Sequence, residues 1–219
     1  MDGKIALNKV SLFEGLPEAD LKQISNLATV RSFPRNTVII SEGDNSDSMY
    51  VVLSGKVKVY LSDDEGKEII INILKEGDYF GELALLDESP RSASVMTLED
   101  CRFAVLSKNA FDECLKSNPE IALQVIRGLS ARLRYLTENV KSLALMDVYG
   151  RVARTLLEMS EDQNGVQVIN QKLTQRDIAS MVGASREMVS RILKDLSVGG
   201  YITIESKSIT INEKLPHGW

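Results

Sequence analysis

Between residues 11 and 30, Leu12, Phe13, Leu16, Leu21, Ile24 and Leu27 recur at helical spacing, and Pro17 stands where a second short helix would begin. From Val30 to about Leu106 the period changes. Short runs rich in Val, Ile and Tyr are cut by Gly43, Gly55, Gly66, Gly77 and Gly81. Val51 and Leu53, then Val57, Val59 and Leu61, alternate with other residues as half-buried strands do. Asp63-Asp64-Glu65-Gly66 supplies a polar turn before Ile69-Ile70-Ile71. Many short strands with glycine at the corners predict a closed β-sandwich or barrel.

After Phe111 the helical period returns. Ile126, Leu129, Leu133, Leu136, Val140 and Leu143 are spaced alternately by three and four, an a/d seam of about two and a half heptads. Arg127, Arg132, Arg134, Glu138 and Lys141 lie off it. A strict seam is narrower than the apolar face of a globular helix, which predicts a parallel dimer coiled coil over a helix packed on its own domain. The seam stops near Asp147, a good N-cap for a helix from Val148 to Met159. A domain boundary is expected at Ala144 to Asp147. An acidic loop, 161–165, then leads to a strand at Val166 to Ile169.

The last third predicts a winged helix-turn-helix. Thr174-Gln175-Arg176-Asp177 has the form of a capping box with Asp in place of Glu. Ile178, Ala179, Met181 and Val182 follow as an apolar face, and Gly183 permits a sharp turn through positive φ. Ser185 would cap a second helix, Arg186 to Leu196, with Met188, Val189, Ile192, Leu193 and Leu196 inward. Gly199-Gly200 ends it. Residues 201–204 and 208–211, joined by Glu205-Ser206-Lys207, form a hairpin wing.

Two segments carry candidate chemistry. The outward face of the second helix holds Ser185, Arg186, Glu187, Ser190, Arg191 and Lys194. In the major groove arginine donates twice to guanine and glutamate accepts from cytosine N4. An acid between two arginines suits base reading better than simple phosphate attraction; the alternative is a solvated Glu187–Arg191 ion pair. The second segment runs from Gly81 to Ser94. A short helix from near Glu82 would aim free N–H groups at an anion. Arg91 adds a bidentate fork and Ser92 a further donor. Glu82 suits a ligand that also offers a hydroxyl, such as a ribose 2′-OH; the alternative is a Glu82–Arg91 bridge across the loop.

Composition narrows the chemistry. The 219 residues are 43% hydrophobic and 26% charged, with net charge -5, an ordinary globular balance. From Tyr149 onward nine basic residues face eight acidic ones, leaving 17 and 23 before it. A DNA contact must therefore rest on local geometry rather than overall charge. The single histidine, His217, lies two residues from Trp219, a poor place for a catalytic triad, zinc site or haem ligand. Cys101 and Cys114 form no CxxC and read as buried apolar side chains in a reducing compartment. A cupin-like metalloenzyme would need histidines in the β-roll, which has none. The expectation is a non-enzymatic cytoplasmic protein with no metal, haem or iron–sulfur cluster, since no signal peptide or membrane span is visible.

The segment Phe80-Gly81-Glu82-Leu83-Ala84-Leu85-Leu86 through Pro90-Arg91-Ser92-Ala93 resembles the phosphate-binding cassette of cyclic-nucleotide-binding domains. Residues Gly183 through Lys194 resemble the recognition region of the cyclic AMP receptor protein (CRP/FNR) family of bacterial transcription regulators, and the similarity covers nearly the whole chain. The resemblance implies an α+β fold: a jelly-roll β-roll over 1–118, a dimerisation helix and hinge over 119–146, and a winged helix-turn-helix over 147–219. It implies Glu82 on the ribose 2′-OH and Arg91 and Ser92 on the cyclic phosphate, with Gly81 and Leu83 beside them. Arg132 would lie near the ligand. Where cyclic AMP-responsive relatives carry a Thr-Ser pair, this chain has Leu136-Thr137. Thr137 keeps the hydroxyl offered across a dimer, and Leu136 leaves cyclic AMP, cyclic GMP, cyclic di-GMP and no effector as alternatives. Arg186, Glu187 and Arg191 match the base-reading trio, implying TGTGA-like half-sites in double-stranded DNA, with Thr174, Ser185, Ser190 and Lys194 as further DNA-binding positions. The loop that touches RNA polymerase in relatives lies between Met159 and Val166 and is shorter here. The oxygen-sensing branch needs an N-terminal cysteine cluster and the carbon monoxide-sensing branch an internal histidine, and the sequence has neither.

Overall fold

The strand-period residues of the first half build two four-stranded antiparallel sheets. The strands are β1 (Thr29–Phe33), β2 (Val38–Ile40), β3 (Ser48–Ser54), β4 (Val57–Ser62), β5 (Glu68–Leu74), β6 (Tyr79–Phe80), β7 (Ser94–Thr97) and β8 (Cys101–Ser107). One sheet runs β1-β8-β3-β6 and the other β2-β7-β4-β5. The computed structural model describes residues 10–170, 173–206 and 208–216, so His217 and Lys207 lie outside the described residues.

The first sheet is the middle of three layers, and the period of two shows why. Met49 and Val51 of β3, with Ala104 and Leu106 of β8, enter a cluster formed with Leu12, Phe13, Ile24, Phe111, Ile121 and Val125. Their neighbours Val52, Cys101 and Phe103 point the other way, into a cluster with Ile40, Val57, Leu74, Phe80 and Val95. A sheet covered on both faces reads as a nearly continuous apolar run, as 49–53 does.

The helical stretch expected over 11–30 divides at Pro17, where a second short helix is expected, but its first part is only a 3-10 turn and its last residues belong to a strand. A single 3-10 turn spans Ser11–Phe13, α1 spans Glu18–Leu27 with Pro17 at its N-cap, and Thr29 onward is already β1. Proline has no N–H to donate and fits only the first positions of a helix, so the pattern divides there. After the short α2 (Leu83–Leu86), α3 (Lys108–Ser117) is capped by Ser107, whose Oγ accepts from Ala110 N at 3.2 Å. Pro119 opens α4 (Pro119–Leu145). On α4, Ile121 and Val125 are buried against the sheet. The predicted seam is largely exposed within one chain: Leu133 is 67% and Val140 65% accessible, and Ile126, Leu136 and Leu143 are also open.

The chain divides into two compact units between Arg134 and Tyr135, inside α4. The second holds α5 (Val148–Met159), β9 (Glu161–Gln163), β10 (Val166–Ile169), α6 (Gln175–Val182), α7 (Arg186–Val198), β11 (Ile202–Ile204) and β12 (Ile209–Ile211). Its sheet runs β11-β12-β10-β9, all antiparallel. Asp147 Oδ1 accepts from Gly150 N at 2.7 Å and starts α5 as predicted. Residues 161–163, expected as loop, pair with 166–168 as a strand. Glu161, Asp162 and Gln163 are all exposed, so only the backbone ladder makes them a strand and no apolar alternation announces it. Val152, Leu156, Ile169, Ile178, Val189 and Leu196 form the core.

Candidate functional site

The strand β6 delivers the chain to Gly81, whose φ of 82° is open to glycine at little cost. A Cβ there would sit 2.6 Å from Arg91 Nη1 and 3.3 Å from Ile40 Cδ1. Because Gly81 has none, Arg91 Nη1 donates to Gly81 O at 2.6 Å. Arg91 Nη2 donates to Ser46 Oγ and Ser48 O. The backbone completes the tie, with Arg91 N donating to Asp44 O at 2.9 Å and Gly43 N to Arg91 O at 2.8 Å. Arg91 is thus 4% exposed and stitches the 42–48 loop to the turn before α2. Burial pulls the Arg91 pKa down, against Tyr50, Glu82, Asp47 and Asp44, which favour its charge.

Glu82 has no exposed surface. Its partner is not Arg91, as the alternative bridge would have it, but Arg132 of α4, which donates to Glu82 Oε1 and to Tyr79 O. The Arg132 guanidinium also lies 4.7 Å from the centre of the Tyr79 ring. Burial pushes the Glu82 carboxyl above the usual range, and Arg132 opposes it most. Within the Gly81–Ser94 segment, two buried atoms have no hydrogen-bond partner among the described residues: the acceptor Glu82 Oε2 and the donor Arg91 Nε. Buried polar atoms left unpaired are rare and costly, so their concentration in one motif points to a ligand. That ligand would present a donor and an acceptor. The structure therefore brings together Gly81, Glu82, Arg91 and Arg132. Leu83 and Ser92 are exposed on the same segment, and Leu136 and Thr137 are exposed on α4.

In the second unit, the Thr174 hydroxyl accepts from Asp177 N at 3.1 Å, and Asp177 Oδ2 accepts from Thr174 N at 2.8 Å and Thr174 Oγ1 at 2.7 Å. The capping box is complete. Gly183, at φ 62°, ends α6 in the left-handed conformation, and Ser185 Oγ accepts from Met188 N at 3.2 Å to start α7. Arg186, Glu187, Arg191 and Lys194 are exposed, Ser190 is half-buried, and no ion pair joins Glu187 to Arg191. Met188, expected inward, is 47% exposed. One residue before Val189, it is turned about 100° away from the buried row. The helix also runs two residues past the expected Leu196, to Val198.

Sequence reasoning missed Ser46, Ser48, Tyr79 and Gly128 in the first unit, and Arg151 in the second. Arg151 Nε donates to Val182 O and its Nη1 to Met146 O, both at 2.8 Å, closing the ends of α6 and α4. Gly128 lies inside a 27-residue helix. Its signal was available, because glycine there costs about 1 kcal/mol relative to alanine and points to a packing reason. Among the described residues no cluster of His, Cys, Asp or Glu is placed to hold a metal. No helix of the described residues is long and apolar enough to cross a membrane.

Comparison with known proteins agrees with this geometry. Residues 30–118 match the cyclic nucleotide-binding domain family and residues 150–214 the Crp-like helix-turn-helix domain family. The chain is 33% identical over 211 residues, 94% of each protein, to the CRP-like cAMP-activated global transcriptional regulator of Mycobacterium tuberculosis. It is 34% identical over 206 residues, 90% of this chain and 97% of the other, to the cAMP-activated global transcriptional regulator CRP of Salmonella typhimurium. In fold it is similar to the c-di-GMP responsive global regulator CLP of Xanthomonas campestris, with a TM-score of 0.79 and 24% identity over 90% of this chain and all of the other. A nucleotide-binding β-roll, a long helix and a Crp-like helix-turn-helix, in that order and at this identity over nine-tenths of its length, mean that the chain belongs to the CRP/FNR family of transcription regulators.

Proposed function

We propose that this chain is a homodimeric DNA-binding regulator whose affinity for a TGTGA-like palindrome is set by a cyclic nucleotide, cyclic AMP first among them. One observation carries the effector reading: Glu82 Oε2 and Arg91 Nε are a buried acceptor and a buried donor, each without a hydrogen-bond partner among the described residues. A ribose 2′-OH supplies the donor that Glu82 lacks, and a cyclic phosphate supplies the acceptor that Arg91 Nε lacks. Ser92, exposed on the same segment, adds a hydroxyl. The exposed row Ile126, Leu133, Leu136, Val140 and Leu143 supports pairing of two chains through α4, which would offer Thr137 across the dimer. Arg186, Glu187 and Arg191 would read base edges, with recognition helices about 34 Å apart on one face of DNA. Effector control needs differential affinity for two states; a swing from 1:99 to 99:1 takes about 5.5 kcal/mol.

A second reading keeps the DNA site and changes the effector. Its motive is Leu136, which cannot hydrogen-bond a base, and the likeness in fold to a regulator described as c-di-GMP responsive. Fluorescence anisotropy of a labelled palindrome, at fixed salt, separates the two. Tightening by cyclic AMP alone is the expected result. Tight binding indifferent to cyclic AMP, cyclic GMP and cyclic di-GMP would keep the DNA reading and refute nucleotide control.

A further inference from the structure

Helix α4 presents an inner row to the β-roll: Ile121, Val125, Gly128 and Arg132. The third place is a glycine, and the structure gives it a use. A Cβ built on Gly128 would penetrate the Tyr79 hydroxyl and stand 3.3 Å from Tyr79 Cζ. The hydroxyl fills that notch, is buried, and has no hydrogen-bond partner among the described residues. Its burial raises the phenol pKa, so it stays neutral. One helical turn further, Arg132 lies over the same ring, donates to the same residue's carbonyl and pairs with Glu82. Tyr79 therefore touches α4 twice, at the notch through its hydroxyl and at Arg132 through its ring face and backbone.

We propose that Gly128 and Tyr79 are a positioning pair, in which the notch seats the Tyr79 ring under α4 and thereby fixes where Arg132 meets Glu82 and how tightly the effector is held. The inference rests on the nucleotide reading of the Glu82–Arg91 site. Neither residue is among those assigned to the effector in that reading. A methyl group at 128 forces the ring or the helix to move, and Arg132, one turn away, moves with it.

The test is a rescue. The Gly128→Ala variant should bind cyclic AMP about tenfold more weakly by calorimetry and melt at a lower temperature than wild type, although alanine is the better helix former. Adding Tyr79→Phe removes the clashing oxygen and leaves Cζ in tight but tolerable contact. The double variant should recover to within about threefold of wild-type affinity. Wild-type affinity in Gly128→Ala, or a double variant as weak as the single one, would overturn the positioning role. A change in melting without a change in affinity would also overturn it, leaving the notch a packing feature only. If Gly128→Ala does not fold, Tyr79→Leu empties the notch without a clash; weakened binding supports the proposal and unchanged binding overturns it. A wild-type chain that binds no cyclic AMP, cyclic GMP or cyclic di-GMP refutes the effector reading itself, and this role with it.

Discussion

Arg91 and Arg186 are the same residue type put to opposite uses. Arg91 is buried, and its two terminal nitrogens are held by Gly81 O, Ser46 Oγ and Ser48 O. Arg186 is exposed at the start of α7 and has no ion pair among the described residues. A buried guanidinium with fixed acceptors is preorganised, and its removal strips partners from groups that cannot reach water. An exposed one contributes little to the fold and keeps its donors for whatever docks against it. On the proposed function, the β-roll site combines folding and recognition in one side chain, whereas α7 separates them.

That contrast can be broken by substitution. Arg91→Leu should have the largest effect: loss of cyclic nucleotide binding together with roughly 1.5–3 kcal/mol of stability, because bonds to a charged group vanish and the 42–48 loop loses its tie. Urea denaturation beside calorimetry reads both, and a variant as stable as wild type would separate recognition from folding here too. Arg186→Ala should weaken the cognate palindrome by about 1–3 kcal/mol and relax preference at one base pair, with stability within about 0.5 kcal/mol of wild type. Equal weakening on random DNA would make Arg186 a phosphate contact. Thr174 is an intermediate case, since its hydroxyl already serves the α6 capping box. Thr174→Ala should cost about 1 kcal/mol of stability in a melting experiment; weaker DNA binding at unchanged stability would assign the hydroxyl to DNA instead. Met188→Ala should do least, shifting stability by no more than about 0.5 kcal/mol. A loss of several times that would return Met188 to the core.

What could be read in advance follows the range of each interaction. Asp147, Thr174 and Ser185 cap helices through partners three residues away, so their motifs are visible in a short window. The alternation at β3 and the seam on α4 are likewise local. Glu82 and Arg132 are separated by 50 residues and Arg91 and Ser46 by 45, and no spacing rule selects such partners. The one protein partner that the local sequence offers Glu82 is Arg91, nine residues on, whereas the partner found is Arg132. Met188 failed for a different reason: an apolar residue at the edge of a helix face is classed by its type, whereas its exposure is decided by the helix angle. In β9 the side chains carry no signal, since Glu161, Asp162 and Gln163 are a strand only through pairing with β10.

The thiols of Cys101 and Cys114 are both buried. Cys101 Sγ lies 3.3 Å from Lys56 O and 3.2 Å from Glu99 O, and burial raises its pKa. Burial pushes the Cys114 thiol up to about 11, so at pH 7 about one in ten thousand is ionised. Peroxides and alkylating agents attack the thiolate, and neither sulfur offers an accessible one. In the folded protein the two side chains should be spectators to oxidative stress, and iodoacetamide labelling should proceed at the rate of unfolding.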